Sequence, residues 1–320
     1  MADSTGDDTD VLYFVSSLMT LIVGLVVHSF IIGVNVSDWW RGRSVTPVDL
    51  IVTSLGISRM CSQSTITLYI ILMAFFRRYL DIVFVILLIF NRIYDFFTYV
   101  NIWLTSLLSI VLCLKISNLH TRLFLYLRRM ILPRTGRLIV ASIISSAVSS
   151  LIILFAITEV NYSEIYNETT DNHLTDCIEV HSLYLYTVGT FFPLIFYCIS
   201  SVLLFVSLYH HTTRMKMSSN LSINLETYYS AMRLVSITFT YNTMYLAGHF
   251  TTAFYFYLNC VILTWLSIVL EVLPALHSSY LIYRTAKLRS QMSKVLQGVM
   301  DFFLPRKDEE TRENIEIVIM

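Results

Sequence analysis

The feature that most limits how this chain can fold is a series of long apolar runs. Seven of them approach or exceed the roughly 20 residues that a helix needs to cross a bilayer, and they lie at residues 11–35, 48–74, 87–118, 138–157, 183–209, 232–255 and 258–283. Of the 320 residues, 56% are hydrophobic and 14% are charged, whereas soluble domains carry about 25% charged residues. The sequence therefore predicts an all-α membrane protein built as a bundle of seven transmembrane helices.

The positive charges predict the orientation of this bundle. With the N-terminus outside the cell, 17 of the 22 Lys and Arg residues fall in the inner loops or after the last span, which is the side where such residues accumulate. We therefore expect a multi-pass plasma-membrane protein with an extracellular N-terminus at 1–10 and a disordered cytoplasmic tail at 304–320. The loop after the fourth span agrees, since its glycosylation sequons at Asn161 and Asn167 lie on the outer side.

Several classes of function have no support in the composition. Asp and Glu equal Lys and Arg at 22 each, so net charge gives no case for nucleic-acid binding. The five cysteines do not have metal-ligand spacing. We predict no metal, no cofactor and no enzymatic activity.

The segment that follows the last span has the pattern of an amphipathic helix. Between 287 and 303, apolar residues recur at helical intervals with Lys287, Arg289 and Lys294 among them. Such a helix lies on the membrane surface. We assign it, with the seven spans, to one receptor domain at 11–303.

Three ionisable residues inside the spans are predicted to lie at one depth. Arg59 lies about eleven residues from the inner end of the second span, Glu271 about twelve from that of the seventh, and His28 ten above Asp38, which places each ~15–18 Å from the inner face. A charge at this depth must face the protein interior. Either Arg59 and Glu271 form an interhelical pair beside His28, or Arg59 bonds carbonyls and hydroxyls while Glu271 lines a water-filled cavity. Spacing alone leaves both open, because it does not fix helix rotation.

The seventh span ends with a proline followed by polar side chains. Pro274 removes a backbone hydrogen bond and favours a kink, and His277 or Ser278 are placed to satisfy the freed carbonyls. This inner half is either a moving part of a switch or a static, satisfied kink. As a switch, Pro274, His277 and Ser278 are grouped with Arg59 and His28.

Two further groups of residues have a functional and an ordinary interpretation. Aromatic residues in the outer half, among them Trp103 and Tyr245, either line a small-molecule pocket or are interfacial aromatics. Residues at the inner ends of the third, fifth and sixth spans either face a partner protein or simply follow the positive-inside pattern; they include Lys115, His211, Arg214 and Arg233.

The motifs along the chain resemble those of type 2 taste receptors, the bitter receptors. The stretch DWWRGRSVTPVDLIVTSLGISRM at 38–60 is similar to their first inner loop and second helix, which end in L-A-I-S-R. WLTSLLSIVLCLKIS at 103–117 resembles the third helix, and SLYHHTTRM at 207–215 the end of the fifth. AMRLV at 231–235 and PALHSSYLIYRTAKLR at 274–289 match the start of the sixth helix and the end of the seventh. The chain is identified as a member of this family.

At a few positions the chain departs from the family pattern. His28 stands where the family usually has Asn, Leu112 where it has an aromatic, Tyr228 where it has His, and Thr285-Ala286 where it often has Asn-Pro. These departures indicate a divergent member, and one hypothesis is a non-mammalian source.

The resemblance implies a G-protein-coupled receptor that binds small bitter compounds and activates a gustducin-like heterotrimeric G protein. Carried over by motif, Trp103 lines the ligand pocket, Tyr245 forms its floor, and Asn161 is glycosylated, with Asn167 competing for that role. Ser267 and Glu271 are added to the pocket from position alone. The alternatives are a type 1 vomeronasal-like chemoreceptor, whose motifs differ at the ends of the second and seventh helices, and a transporter, which usually shows inverted repeats.

Overall fold

The described part of the chain is almost entirely helical, as the sequence predicts. The computed structural model describes residues 4–76, 80–117, 121–166, 180–217, 222–259 and 263–303. Its long helices are α1 (Ser4–Trp40), α2 (Pro47–Phe75), α3 (Leu80–Ile116), α5 (Thr135–Tyr166), α6 (Val180–Met217), α7 (Ser222–Asn259) and α8 (Thr264–Arg284), with shorter helices α4 (Arg122–Ile131) and α9 (Ala286–Phe303). The seven long helices match the seven predicted spans in order.

Five stretches are long and apolar enough to cross a membrane by length and composition: Val11–Trp40, Val85–Ile116, Arg122–Ile152, Gly189–His210 and Thr264–Arg284. α2 and α7 are not among them. α2 buries Arg59, Gln63 and several hydroxyl side chains, and α7 buries Asn242 and two tyrosines. Their low hydropathy therefore has a structural reason: they carry the polar interior of the bundle.

The structure differs from the sequence-based prediction at the start of the seventh span and in the loop after α3. The predicted seventh span begins at 258, but residues 258–259 belong to α7 and α8 begins at Thr264. Apolar residues continue across this short connection, so hydropathy alone cannot place it. The loop after α3 contains a helix that was not predicted, α4, in which Phe124, Leu127 and Ile131 lie on one face and contribute to a core formed by several helices.

Local signals explain where some helices begin. Thr46 caps α2: its hydroxyl oxygen accepts a hydrogen bond from the Asp49 N–H at 3.1 Å, and its hydroxyl lies 2.7 Å from the Asp49 carboxylate. Pro47 follows at the first helical position, where the missing N–H costs nothing. Thr121 caps α4 in the same way through the Phe124 N–H.

α3 is the central helix of the bundle. Its most apolar stretch is 72% buried, against 28–39% for the other four apolar spans. One apolar core joins it to α2 and α5 through Ile51, Leu104 and Ile139. A second joins it to α4, α6 and α7 through Leu114, Phe124 and Leu208. The polar residues of α3 are therefore held in fixed directions relative to five neighbouring helices.

α7 and α8 pack through a third apolar core in which a glycine permits close approach. Tyr241, Tyr245 and Leu270 form this core. A Cβ atom added at Gly248 would lie 2.6 Å from Leu270 Cδ2, so a larger residue there forces this buried leucine to move. Small residues at helix interfaces are the usual means of close packing in membranes.

We expect Gly248→Val to destabilise the receptor by about 1–3 kcal/mol through overpacking. The matched control is Gly33→Val on α1, where an added Cβ meets nothing within 4 Å. Thermal unfolding of the purified full chain in detergent should show a lower Tm for the first variant and an unchanged Tm for the second. Equal Tm values for both variants would contradict this packing.

The contacts divide the chain into two compact units, Met1–Ser278 and Ser279–Met320. The second unit contains the end of α8 and the helix α9. α9 occupies nearly the range predicted for the amphipathic helix, and its exposed apolar residues include Val295, Leu296, Val299 and Phe302. The tail at 304–320 lies outside the described residues.

Candidate functional site

Arg59 occupies the centre of a polar cluster in the apolar bundle. It is 3% exposed, and its Nη1 atom donates to Ser278 Oγ at 2.9 Å and lies 3.1 Å from His277 Nδ1. Its Nη2 atom donates to the Tyr241 hydroxyl at 3.4 Å, and its Cζ atom lies 5.6 Å from the centre of the Tyr241 ring. One side chain of α2 therefore binds α7 and α8 together.

The glutamate that was one candidate partner for Arg59 belongs to a different group. Glu271 accepts hydrogen bonds from the Tyr13 hydroxyl at 3.1 Å and from Ser17 Oγ at 2.5 Å, and Gln63 of α2 donates to its backbone carbonyl at 3.2 Å. The structure therefore does not form the Arg59–Glu271 pair. Arg59 instead contacts His277 and Ser278, which follow Glu271 by six and seven residues on α8, and the Glu271 side chain faces α1.

The second alternative from the sequence, in which Arg59 bonds carbonyls and hydroxyls, describes only part of its surroundings. Arg59 does bond a serine hydroxyl, but its other partners are aromatic rings of α7 and α8 rather than carbonyls. His277 and Ser278 follow Pro274 by one turn, and the sequence placed them in the same switch as Arg59. The structure brings these two residues and Arg59 into contact, although their side chains bind the guanidinium instead of the carbonyls freed by the proline.

His28 completes the surroundings of Arg59 on the α1 side. Its side chain is 0% exposed, and it lies within electrostatic range of both Arg59 and His277. Neither of its ring nitrogens has a hydrogen-bond partner among the described residues. α1 packs against α2 at Gly56, where an added Cβ would lie 3.9 Å from the His28 carbonyl oxygen.

An aromatic column extends from the arginine along α7. The rings of His277 and Tyr241 stack with centres 4.2 Å apart and planes 7° apart. Tyr245 stacks next on Tyr241 at 5.9 Å, and His249 meets Tyr245 edge-on at 4.5 Å. A continuous series of packed rings thus joins His249 to the hydrogen-bond partners of Arg59.

Sequence reasoning missed Tyr241, the α7 partner of the arginine. The signal was present, because Tyr241, Tyr245 and His249 recur every four residues and so lie on one helix face. From the sequence, Tyr245 is a candidate ligand contact and Tyr241 is not, although Tyr241 faces the charge of Arg59.

A small cavity lies beside the arginine, between α2, α3, α6 and α7. Its volume is about 20 Å³, which is room for one water molecule. Asn101 and Asn242 line it, and Asn101 Oδ1 and Asn242 Nδ2 have no hydrogen-bond partner among the described residues. Both asparagines therefore bring an unpaired amide atom to a cavity with room for one water molecule next to Arg59.

The structure does not collect the four predicted ligand-contacting residues in one place. Tyr245 lines the small cavity beside Arg59. Trp103 lines a different and larger groove between α3, α4, α5 and α6. Ser267 lies within hydrogen-bonding reach of Tyr13, and Glu271 faces α1 as described above. The cause is helix rotation: Asn101 and Thr105 of α3 face the Arg59 cavity, and Trp103 points away from them.

The remaining predicted residues lie at helix ends. Lys115 and Arg233 are exposed, next to the apolar core that contains Leu114 and Val235. His211 and Arg214 are in α6 and Asn161 is in α5, but their side chains are outside those described. Asn167 lies outside the described residues altogether.

Comparison with known proteins supplies the family. The family model "Taste receptor protein (TAS2R)" matches residues 6–300. The chain belongs to the type 2 taste receptor family. It is 28% identical over 308 residues to taste receptor type 2 member 9 of Macaca mulatta, covering 93% of this chain and 97% of the relative. It is 24% identical over 296 residues to taste receptor type 2 member 2 of Homo sapiens, covering 89% and 96%.

Family membership confirms the bundle of seven transmembrane helices and the assignment to G-protein-coupled receptors. A third relative, taste receptor type 2 member 16 of Pongo pygmaeus, is 28% identical over 246 residues, or 73% of this chain and 80% of the relative. As a member of this family, the chain with the Arg59 cluster is a multi-pass membrane protein and a chemosensory receptor, and the family is not one of enzymes. Among the described residues no group of three or more His, Cys, Asp or Glu side chains is arranged to hold a metal ion.

Proposed function

We propose that this taste receptor binds small, mostly apolar bitter compounds and activates a gustducin-like heterotrimeric G protein. The observation that carries the proposal is the family match over nearly the whole chain, 6–300. The polar cluster of Arg59 supports it, because a receptor needs an element that both a ligand and a partner protein can bias.

The mechanism we propose is a population shift centred on this cluster. A ligand in the outer half that contacts the Tyr245–His249 end of the aromatic column favours one arrangement of Arg59, Tyr241 and His277. Because those residues join α2, α7 and α8, the shift changes how the inner ends of the helices are placed. The size of the shift is limited by the ratio of the ligand's affinities for the two states.

The G protein is proposed to dock at the inner ends of α3, α6 and α7. Lys115 and Arg233 are exposed there, and His211 and Arg214 lie in the same region of the sequence. The apolar core beneath them, which includes Leu114, Leu208 and Val235, joins the three helices, so relative movement of the helices would open or close this surface.

This assignment requires the N-terminus outside and the C-terminus in the cytoplasm of a plasma-membrane protein. The positive charges and the two sequons support that orientation. We expect that the double variant Asn161→Gln/Asn167→Gln loses the glycosidase-sensitive shift in gel mobility that the wild type shows. A wild type without any such shift would count against this assignment of the outer loop.

The function is tested by a calcium-release screen. Cells that express the full chain with a promiscuous G-protein subunit are exposed to a broad library of bitter compounds. We expect concentration-dependent responses to some of them and none in cells without the receptor. Silence across the library, with the receptor at the cell surface, would contradict the proposed ligand class.

Trp103→Ala is expected to weaken the response to an agonist found in that screen. Loss of a tryptophan contact should raise the half-maximal concentration about tenfold, which corresponds to about 1.4 kcal/mol, while surface expression is retained. The matched control is Trp265→Ala, whose side chain is 65% exposed on α8. Unchanged dose–response curves across several agonists would remove Trp103 from the ligand site.

A further inference from the structure

A large groove between α3, α4, α5 and α6 lies away from the Arg59 cluster. It has a volume of about 570 Å³ between α3, α4, α5 and α6, and its lining includes Trp103, Ser106, Leu127, Ala141, Phe196 and Ile199. Sites for drug-sized molecules have volumes of about 300–1,000 Å³. The groove is therefore large enough for a small organic molecule, whereas the cavity beside Arg59 has room for one water.

The groove is open on the side where lipid would lie. Phe196, Ile199 and Leu203 line it, and their exposed fractions are 47%, 55% and 41%. The groove begins at Phe124 and Leu127 of α4 and reaches Trp103, which precedes the end of α3 by thirteen residues, or ~20 Å. It thus extends from one membrane surface to about the middle of the bilayer, and no charged side chain is among its described lining residues.

Two hydrogen-bond donors at the deep end have nothing to bind. The Trp103 indole N–H and the Ser106 hydroxyl have no partner among the described residues, and Ser106 is 2% exposed. Both side chains line the groove and lie one helical turn apart on α3. Buried polar groups normally have a hydrogen-bond partner, so two neighbouring donors without one in an otherwise apolar groove indicate an occupant that carries an acceptor.

We propose that this groove is a second binding site, reached through the membrane, for apolar organic molecules that carry a hydrogen-bond acceptor such as a ketone or ester oxygen. The acceptor binds the Trp103 N–H and the Ser106 hydroxyl, and the apolar body packs against α5 and α6. A lipid acyl chain fills the volume but offers no oxygen at that depth, so the unpaired donors favour the small molecule. The groove contains Trp103, whose replacement is also predicted above to weaken the agonist response, but occupancy of the groove is measured by labelling and not by that response.

The test is photolabelling of the full-length receptor in membranes with an alkyne-tagged benzophenone. This probe is an apolar ketone that inserts into nearby C–H bonds on irradiation. We expect labelled peptides from 103–114, 138–145 and 196–203, and an excess of untagged benzophenone should suppress them. Labelling spread evenly over the lipid-facing helices, or labelling that does not saturate, would overturn the proposal.

Two variants, Ala141→Trp and Ser106→Ala, locate the site, and Val140→Trp is the control. Ala141→Trp fills the groove from its exposed α5 side and should abolish labelling of these peptides, whereas Val140→Trp, on the opposite face of the same helix and 55% exposed, should leave labelling intact. Ser106→Ala removes one unpaired hydroxyl and should weaken labelling about three- to tenfold, the usual effect of losing one hydrogen bond. Equal labelling of wild type and Ser106→Ala would overturn the role of the donors, even if Ala141→Trp fails to fold.

Lipid composition distinguishes the alternative occupant. Labelling should be the same in nanodiscs of phosphatidylcholine and in nanodiscs that also contain phosphatidylserine. If phosphatidylserine alone removes the label from these peptides, an anionic lipid held near the arginines of α4 occupies the groove and the proposal is wrong.

Discussion

Replacing Arg59 with alanine is expected to lower the Tm of the purified receptor by about 6–12 °C. The change removes the hydrogen bonds to Ser278 and Tyr241 and the contact with His277. Removing one partner from a buried charged group typically costs about 3–5 kcal/mol, although the variant no longer buries a charge, so we expect a net loss of about 3 kcal/mol. At ~2–4 °C per kcal/mol for large domains, this gives the predicted shift.

Two controls accompany this prediction. Arg41→Ala removes an exposed arginine of the loop between α1 and α2 and should leave the Tm unchanged. Arg59→Lys keeps the charge but replaces the planar fork with a single ammonium group, so its Tm should lie between the other two. An Arg59→Ala receptor with the Tm and the basal signalling of wild type would show that the cluster neither stabilises nor biases the bundle.

Double-mutant cycles are expected to show that Arg59 is coupled to His277 and not to Glu271. The combination of Arg59→Ala with His277→Ala should be non-additive by about 1–3 kcal/mol, because the two side chains are in contact. Arg59→Ala with Glu271→Gln should be additive within about 0.5 kcal/mol, since Glu271 is bound to Tyr13 and Ser17. Thermal unfolding in detergent measures all the variants.

The outcomes of these cycles separate two pictures of the switch. Strong coupling between Arg59 and Glu271 would contradict the arrangement described here and restore the interhelical ion pair. Coupling to His277 alone supports a switch in which Arg59 holds α8 to α2 one turn beyond Pro274. A change in the bend of α8 at Pro274 would then move His277 and Ser278, the groups that contact Arg59.

The cluster also explains how an arginine is tolerated at this depth without a carboxylate among its hydrogen-bond partners. The Arg59 guanidinium contacts the Ser278 hydroxyl, a ring nitrogen of His277 and the Tyr241 hydroxyl, and the face of the Tyr241 ring lies beside it. Such contacts are individually weaker than a buried ion pair, yet they break without leaving a second charge unpaired. This property suits a part of the receptor that has to rearrange.

The sequence by itself determined the class of fold, the order of the seven helices and the special position of Arg59. Each follows from the order of residues along the chain. A long apolar run predicts a membrane-spanning helix, and a charged residue within such a helix has to face the protein interior. The family motifs, of which LGISRM is one, depend on the same linear information. For this reason the sequence also placed His277 and Ser278 in the switch, one turn after Pro274.

The tertiary structure alone decided which residues meet. Arg59 meets His277 and Ser278, whereas Glu271 meets Tyr13 and Ser17 of α1. Trp103 and Tyr245 line separate cavities. Rotation of each helix about its axis is set by packing against several neighbours at once, and residue spacing carries no information about it. The amphipathic helix α4 also depends on tertiary packing. It is stabilised when Phe124 packs in the core that α3, α6 and α7 provide.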